Sequence, residues 1–393
     1  MLVRRLEQPL RLLSQFYKFM PVLPIDWNSD QMTIFPIQNR KRIPYYMSMG
    51  IVSSLWLSCV YTLGTQPWLH RKTFGILHFC ILTTGFGAFS TTLIIVNSLF
   101  ESSVASKLSA VNCYMQLESD ILTKYEINLS KKKKLDPLDI FFFVAQLGNG
   151  VPFLILFGCL FWDLDGPYWV IEDLAPTPLY RESSTILLFL LIRALLLLPG
   201  FWETTRSLLG TAMIMFATIE NLTRVVTTLT FKVKSIKCFF RYYTQLSILC
   251  NILEGSTTRL FFVTITTAYF LLIQWTWVCV RGFGKLEAPI YFLFLMIAFI
   301  VWVSAIIFLP EVMLMGEAIA ALPHAKRLEM KRRFVLWKTK ESKIAYKRSL
   351  AIRPFKFQYG NFYPMGRKFS RNTFENGLEN IMTLILLFDI GKQ

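Results

Sequence analysis

Asn372, Asn376, Asn380 and Thr383 recur four, four and three residues apart, which places them on one face of a helix. That face continues to Leu387, and Glu375 and Glu379 are placed to concentrate cations near it. Phe374, Leu378, Ile381, Ile385 and Phe388 form the opposite face. Amides and carboxylates in a row can concentrate cations and stand in for part of an ion's hydration shell, and an apolar end can act as a constriction. Asn376, Glu379, Asn380, Thr383 and Leu387 are therefore candidate pore-lining residues. Apart from Thr383, the continuously apolar part is Ile381–Phe388, about 12 Å of helix. Crossing about 30 Å of hydrocarbon needs the polar half as well, and that half must face protein or water. Two other readings stay open: Asn376 and Asn380 only bond neighbouring helices, or the segment lies on the membrane without crossing it. One helix encloses no pore, so the pore reading requires an oligomer.

A second group mixes aromatic rings with a few polar side chains in apolar surroundings. It comprises His78, Phe79, Phe157, Phe189, Arg193, Gln274, Trp275 and Tyr291. Small organic ligands are held by this kind of lining. The competing reading is that Trp and Tyr anchor span ends at the membrane interface while Phe fills space. Arg193 stands apart, because a charge inside an apolar span is functional by default. Its partner is not identifiable from the sequence.

Enzyme chemistry has no counterpart. HExxH, GxSxG and phosphate-binding glycine loops are missing, and there are only three histidines, His70, His78 and His324. The seven cysteines have no metal-ligand spacing, so they read as small core residues. No catalytic residue, metal or cofactor is expected.

These side chains must be positioned by membrane-spanning helices. Apolar stretches occupy Tyr45–Leu63, Phe74–Phe100, Asp139–Phe161, Ser184–Glu203, Leu260–Val280, Pro289–Pro310 and, more weakly, Asn372–Ile390. Of the 42 Lys and Arg, 35 fall in the N-terminal segment, 101–138, 204–259 and 311–371, which are alternate connections. Positive loops stay cytoplasmic, so the N-terminus is predicted inside and the C-terminus outside. The acidic loop 162–183 agrees, with Asp163, Asp165, Glu172, Asp173 and Glu182 against one Arg. The run Lys131–Lys134 reads as a topology determinant. The net charge of +17 belongs to this asymmetry and to anionic lipid, not to nucleic acid. No apolar run precedes Tyr45, so the first span is expected to serve as the targeting signal.

The fold class is thus an all-α integral membrane protein with seven transmembrane helices. Residues 1–44 form a cytoplasmic N-terminal segment, 45–310 carry spans one to six with cytoplasmic extensions, 311–371 form a basic cytoplasmic segment, and 372–393 hold the last span and a short outer tail. No internal repeat is visible. Past Pro199-Gly200, with a kink expected at the proline, apolar positions continue at helical spacing through Leu208, Met213, Phe216 and Ile219. A similar pattern covers 220–258, so helices four to six extend into a cytoplasmic helical bundle. The aromatic stretch Arg353–Met365 is expected to pack against protein or membrane, or to join subunits. Two glycosylation sequons, at Asn128 and Asn221, fall in loops predicted to be cytoplasmic.

The segment Tyr359-Gly-Asn-Phe362-Tyr363-Pro-Met365, followed by Ile381-Met-Thr383-Leu-Ile-Leu-Leu-Phe388 close to the C-terminus, resembles the arthropod chemoreceptor superfamily of gustatory and odorant receptors. The match covers architecture along the whole chain and sequence over about the last 40 residues. The gustatory signature of Thr-Tyr, five apolar residues and Gln-Phe is not intact: Leu384 follows Thr383 and no Gln precedes Phe388. The chain resembles either a divergent gustatory-like member or an odorant-type receptor. The resemblance implies a homo- or heterotetrameric, ligand-gated, non-selective cation channel in the plasma membrane of sensory neurons, opened by a small organic tastant or odorant. It implies a pore lined by the last span. It also implies a cytoplasmic anchor where 311–371 joins the extended spans, and a ligand pocket in the outer half among spans two to six. The alternatives are a G-protein-coupled receptor, which needs the opposite orientation, and a transporter, which favours paired broken helices.

Overall fold

The computed structural model describes residues 25–28, 33–36, 43–69, 75–100, 104–125, 150–174, 183–284, 286–350, 352, 358–359, 363–364, 372 and 375–383. The helices are α1 (Ile43–Leu69), α2 (Ile76–Phe100), α3 (Val104–Tyr125), α4 (Val151–Trp162), α5 (Gly166–Leu174), α6 (Ser183–Phe231), α7 (Ile236–Gly282), α8 (Ala288–Trp337) and α9 (Lys340–Leu350). A last helical segment, α10, covers residues 375–383. Two antiparallel hairpins accompany them. The first pairs β1 (Ile25–Asn28) with β2 (Thr33–Pro36), and the second pairs β3 (Gln358–Tyr359) with β4 (Tyr363–Pro364). The first hairpin falls in the N-terminal segment, where no element was expected. The second falls within the aromatic stretch before α10, and its strand β3 lies against α7.

Among the described residues, five apolar stretches are long enough to cross a membrane: Ile43–Gln66, Leu77–Ser98, Pro152–Leu174, Thr185–Phe231 and Thr258–Gly282. Ala288–Val303 is apolar and shorter. Many large apolar side chains on these helices face outward, such as Leu187, Leu195 and Phe299. Water would penalise that surface, but hydrocarbon does not. Part of the third apolar stretch, the Lys131–Lys134 run, Leu387 and the remainder of the seventh apolar stretch lie outside the described residues.

Length fixes the architecture. Helix α6 has 49 residues, α7 has 47 and α8 has 50. At 1.5 Å per residue each is about 70–75 Å long, more than twice the hydrocarbon thickness of about 30 Å. The expected extension of the helices of spans four to six is therefore present. Helix α6 is the central mast, touching α1, α2, α3, α4, α7 and α8. It runs unbroken through Pro199. Neighbouring helices can support the backbone around a proline in this setting. Gly200 is what lets α1 approach there, since a Cβ at that position would meet Leu55 Cδ1 at 2.1 Å.

Toward the C-terminal end of α6, helices α6, α7, α8 and α3 form their own core. Ile219, Leu222, Val226 and Leu229 of α6 pack with Phe239 and Leu246 of α7, Ile121 of α3 and Ile319 of α8. The turn between α6 and α7 ends at Ser235, whose hydroxyl accepts from the Cys238 amide at 3.4 Å as an N-cap. Two buried polar side chains here are paired. Asn221 Nδ2 donates to Glu118 Oε1 at 2.9 Å, and Lys326 Nζ donates to the Thr230 carbonyl at 2.9 Å. On α6, at the end of the fourth predicted span, the buried Glu203 pairs with Arg206 one turn on.

The loop expected at 162–183 contains α5. Asp165 accepts a hydrogen bond from the Tyr168 amide at 2.8 Å, so it caps the N-terminus of α5. Gly166 lies against α1 so closely that a Cβ would sit 2.9 Å from the Ser58 carbonyl carbon and 3.0 Å from the Cys59 nitrogen. Trp169 of α5 is 1% exposed, within a core of α1, α2, α4 and α6 side chains.

Candidate ligand cavity and last helix

Two cores meet in the apolar half of the bundle. One is built from α1, α2, α4, α5 and α6, the other mainly from α2, α7 and α8. Between them lies a cavity of about 240 Å³. Helical phase selects its lining. From α2 come Ile81, Thr84, Gly85, Ala88 and Phe89, and from α4 come Ile155, Gly158 and Cys159. Helix α6 supplies Phe201, Thr204, Thr205 and Leu208, α7 supplies Leu271 and Trp275, and α8 supplies Leu293, Phe294 and Ile297. Leu164, between α4 and α5, completes the wall. Gly158 lets α8 approach α4 at this wall, since a Cβ there would meet Leu293 Cδ2 at 2.8 Å.

The wall is almost wholly apolar, and its Thr84 hydroxyl is committed. The single Thr84 hydroxyl proton is shared between Gln274 Oε1 at 2.9 Å and the Cys80 carbonyl at 2.8 Å. Gln274 Nε2 donates to the Cys80 carbonyl at 2.5 Å and to Thr83 Oγ1 at 2.6 Å. Gln274 therefore stitches α7 to α2, as buried amides do between membrane helices.

Of the eight ligand candidates, Trp275 lines this cavity. The other seven lie off its wall. Phe79 and Phe157 are 51% and 64% exposed and point outward from α2 and α4. They lie about 140° and 100° around their helices from the lining residues Thr84 and Gly158, on another face. Phe157 stacks on Phe161 with centroids 5.3 Å apart. His78 meets the Trp169 ring edge-on at 5.4 Å, and its Nδ1 accepts from the Gly75 amide at 3.2 Å. Tyr291, at the start of α8, contacts Phe283 and Phe292. Phe189 is half-buried on α6, about one turn from Arg193. Thr84, Gly85, Ala88, Gly158 and Thr204 were not singled out, because small residues in an apolar run carry no signal of what they face.

Arg193 finds partners in the acidic turn after α4. Its Nη1 lies 2.7 Å from Asp163 Oδ1, its Nη2 pairs with Asp165, and its Nη2 also donates to the Cys159 carbonyl at 2.9 Å. The guanidinium carbon sits 4.9 Å from the Tyr168 ring centroid. Arg193 and Asp165 are buried, while Asp163 is half-exposed.

In α10, Gly377 and Ile381 are buried. A Cβ at Gly377 would lie 3.3 Å from the Tyr269 ring of α7, and Asn380 Nδ2 donates to the Tyr269 hydroxyl at 3.1 Å. Glu379 points away from this packed face, with Thr383 and Asn376 both to one side of it; all three are exposed on the single chain. Leu378 and Met382, at 55% and 56% exposed, occupy a separate sector. The polar residues picked from the sequence therefore share one unpacked sector, with Asn380 at its edge. Among the described residues, no group of His, Cys, Asp and Glu is placed to hold a metal.

No protein-family model matches the sequence, and neither does any curated protein. Solved structures do match in fold. One is the insect olfactory receptor OR5 from Machilis hrabei in complex with eugenol, with a TM-score of 0.61 and 11% identity, covering 98% of this chain and 100% of that one. Another structure of the same receptor gives a TM-score of 0.57 at 10% identity, covering 98% and 99%. The chain is a multi-pass membrane protein. Its fold is that of an insect olfactory receptor.

Proposed function

We propose that this chain is a chemosensory receptor of the arthropod seven-span chemoreceptor superfamily, acting as a ligand-gated, non-selective cation channel. The observation that carries the reading is an apolar cavity lined by α2, α4, α6, α7 and α8 in a chain with the insect olfactory-receptor fold. The neighbour's complex with eugenol supports a small organic ligand. An engineered dry cavity of 150 Å³ holds benzene. By proportion, the 240 Å³ here suits a compact apolar molecule of about ten non-hydrogen atoms.

The pore is formed by α10 and its continuation from four subunits, lined by Asn376, Glu379, Asn380, Thr383 and Leu387. The separate polar and apolar sectors of α10 support this, since a pore helix in a ring faces the pore and its neighbours differently. The N-terminus lies in the cytoplasm, and subunits meet through 311–371 and the extensions of α6, α7 and α8. Receptors of this kind work in the plasma membrane of sensory neurons. The test is whole-cell recording from cells expressing the chain alone and with a broadly pairing subunit, during exposure to ring compounds of about ten heavy atoms. Ligand-evoked cation current supports the reading. Ligand uptake without current, or signalling that requires a G protein, opposes it.

A further inference from the structure

Arg193 does not line the cavity, yet it fixes a residue that does. Leu164 is 3% exposed, lines the cavity, and lies between Asp163 and Asp165, both of which bond Arg193. Its amide donates to the Cys159 carbonyl at 3.3 Å, the same carbonyl that receives Arg193 Nη2 at 2.9 Å. Asp165 also accepts from the Tyr168 amide at 2.8 Å, which starts α5. One guanidinium thus holds the end of α4, the turn, and the start of α5. Asp163 sits at φ 52°, the left-handed C-cap of α4, with its own amide also on the Cys159 carbonyl.

We propose that Arg193 is a positioning residue that clamps the Asp163–Asp165 turn as the roof of the cavity, and thereby sets the size of ligand the cavity accepts. This rests on the cavity being the ligand site. The planar fork reaches Asp165 through both Nε and Nη2 and still reaches Asp163 and the Cys159 carbonyl. A lysine at 193 would keep the charge and lose that geometry. With the clamp released, Leu164 is free to withdraw and the wall opens between α4 and α6.

The experiment uses the full chain and a probe series from toluene to hexylbenzene, with half-maximal concentrations read from evoked current. Wild type is compared with Arg193→Lys, Arg193→Gln, Asp163→Asn and Leu164→Ala. In parallel, maleimide modification of Cys159 is read on its peptide by mass spectrometry. Cys159 is 3% exposed and lines the same wall. Arg193→Gln and Leu164→Ala are each expected to favour the longer probe by about tenfold relative to the shorter one, the scale of a methylene's worth of pocket fit. Arg193→Lys and Asp163→Asn fall between. Arg193→Gln also speeds Cys159 modification. Asp163→Asn and Leu164→Ala leave the buried Arg193–Asp165 pair in place, so they carry the test should Arg193→Gln fail to fold. An unchanged size profile and unchanged Cys159 modification across the folded variants overturn the proposal. If wild type answers no alkylbenzene while Arg193→Gln still exposes Cys159, the ligand reading of the cavity falls, and the size-selection claim with it.

Discussion

Asn380 of the last helix donates to the Tyr269 hydroxyl of α7 at 3.1 Å, with Gly377 beneath the same ring. Helix α7 also carries Trp275, about a turn and a half further on, in the cavity wall. The contact therefore joins a helix that touches the candidate ligand to the one that carries the candidate pore face. Tyr269→Phe keeps the ring and loses the hydroxyl. The tie should weaken by about 1 kcal/mol, an equilibrium factor of about fivefold. Concentration–response curves should shift by a similar factor. A curve that overlays wild type, with equal maximal current, contradicts a role for this contact in coupling.

Gly166 admits no side chain, because a Cβ would lie 2.6 Å from Ser58 Oγ and 2.9 Å from the Ser58 carbonyl carbon of α1. Backbone cannot rotate aside as a side chain can. Gly166→Ala is expected to destabilise the protein by about 1–3 kcal/mol through overpacking. Thermal unfolding in detergent measures it. A melting temperature equal to wild type would show that α5 shifts freely on α1.

Two cysteines on the extension of α7 should separate by pH. The Ser235 hydroxyl lowers the pKa of Cys238 below the usual thiol range, with Tyr125, Lys124 and Arg241 adding to the effect against partial desolvation. Burial pushes Cys250 up to about 12. The thiolate is the reacting form. Cys238 should therefore be modified by iodoacetamide at a lower pH than a free thiol requires, with the rate rising to a plateau as pH climbs. Cys250 should stay unreactive in the folded chain through pH 10, about two units below that value. Equal modification of both at pH 7 would contradict the packing of α7 against α3.

The sequon at Asn221 is buried, and its Nδ2 bonds Glu118 Oε1 at 2.9 Å inside the extension core. A glycan cannot be housed there on either side of a membrane. Endoglycosidase treatment should produce no mobility shift attributable to Asn221, and Asn221→Ala should lower stability by about 1–3 kcal/mol as Glu118 loses a hydrogen bond in the core. A glycan found on Asn221 in folded protein would overturn the packing of α3 on α6. A topology map therefore needs sequons placed elsewhere, 162–183 being the region predicted to face outside.

The helices were legible where apolar runs and helical spacing carried the signal. Leu208, Met213 and Ile219 announced that span four continues, and they lie on the extension of α6. Helix α5 was missed, although Asp165-Gly-Pro167 is a start signal: a capping carboxylate followed by proline in the first turn. Its acids had been used to orient the loop, and two of them turned out to be the partners of Arg193. The cavity was the least legible part. In an amphipathic helix polarity separates inside from outside, but α2 and α4 are apolar on every side. Phe157, which faces outward, and Gly158, which faces the cavity, then look alike as candidates. Bulk drew attention to the ring, although it is the glycine that lies in the cavity wall, where it admits Leu293 of α8. The face of α10 was clearer, because Asn376, Glu379 and Thr383 stand out against apolar neighbours.

Whether this chain is a channel opened from its own cavity is read most directly by reconstituting the purified protein in a planar bilayer and recording current during exposure to ring compounds of about ten heavy atoms. Wild type is compared with Ala88→Phe, which places a ring inside the cavity lining. The predicted result is cation current evoked in wild type and lost, or displaced by more than about tenfold in concentration, in a folded Ala88→Phe protein. Equal responses from both proteins, or no current from a wild-type chain shown to be folded and inserted, would contradict it.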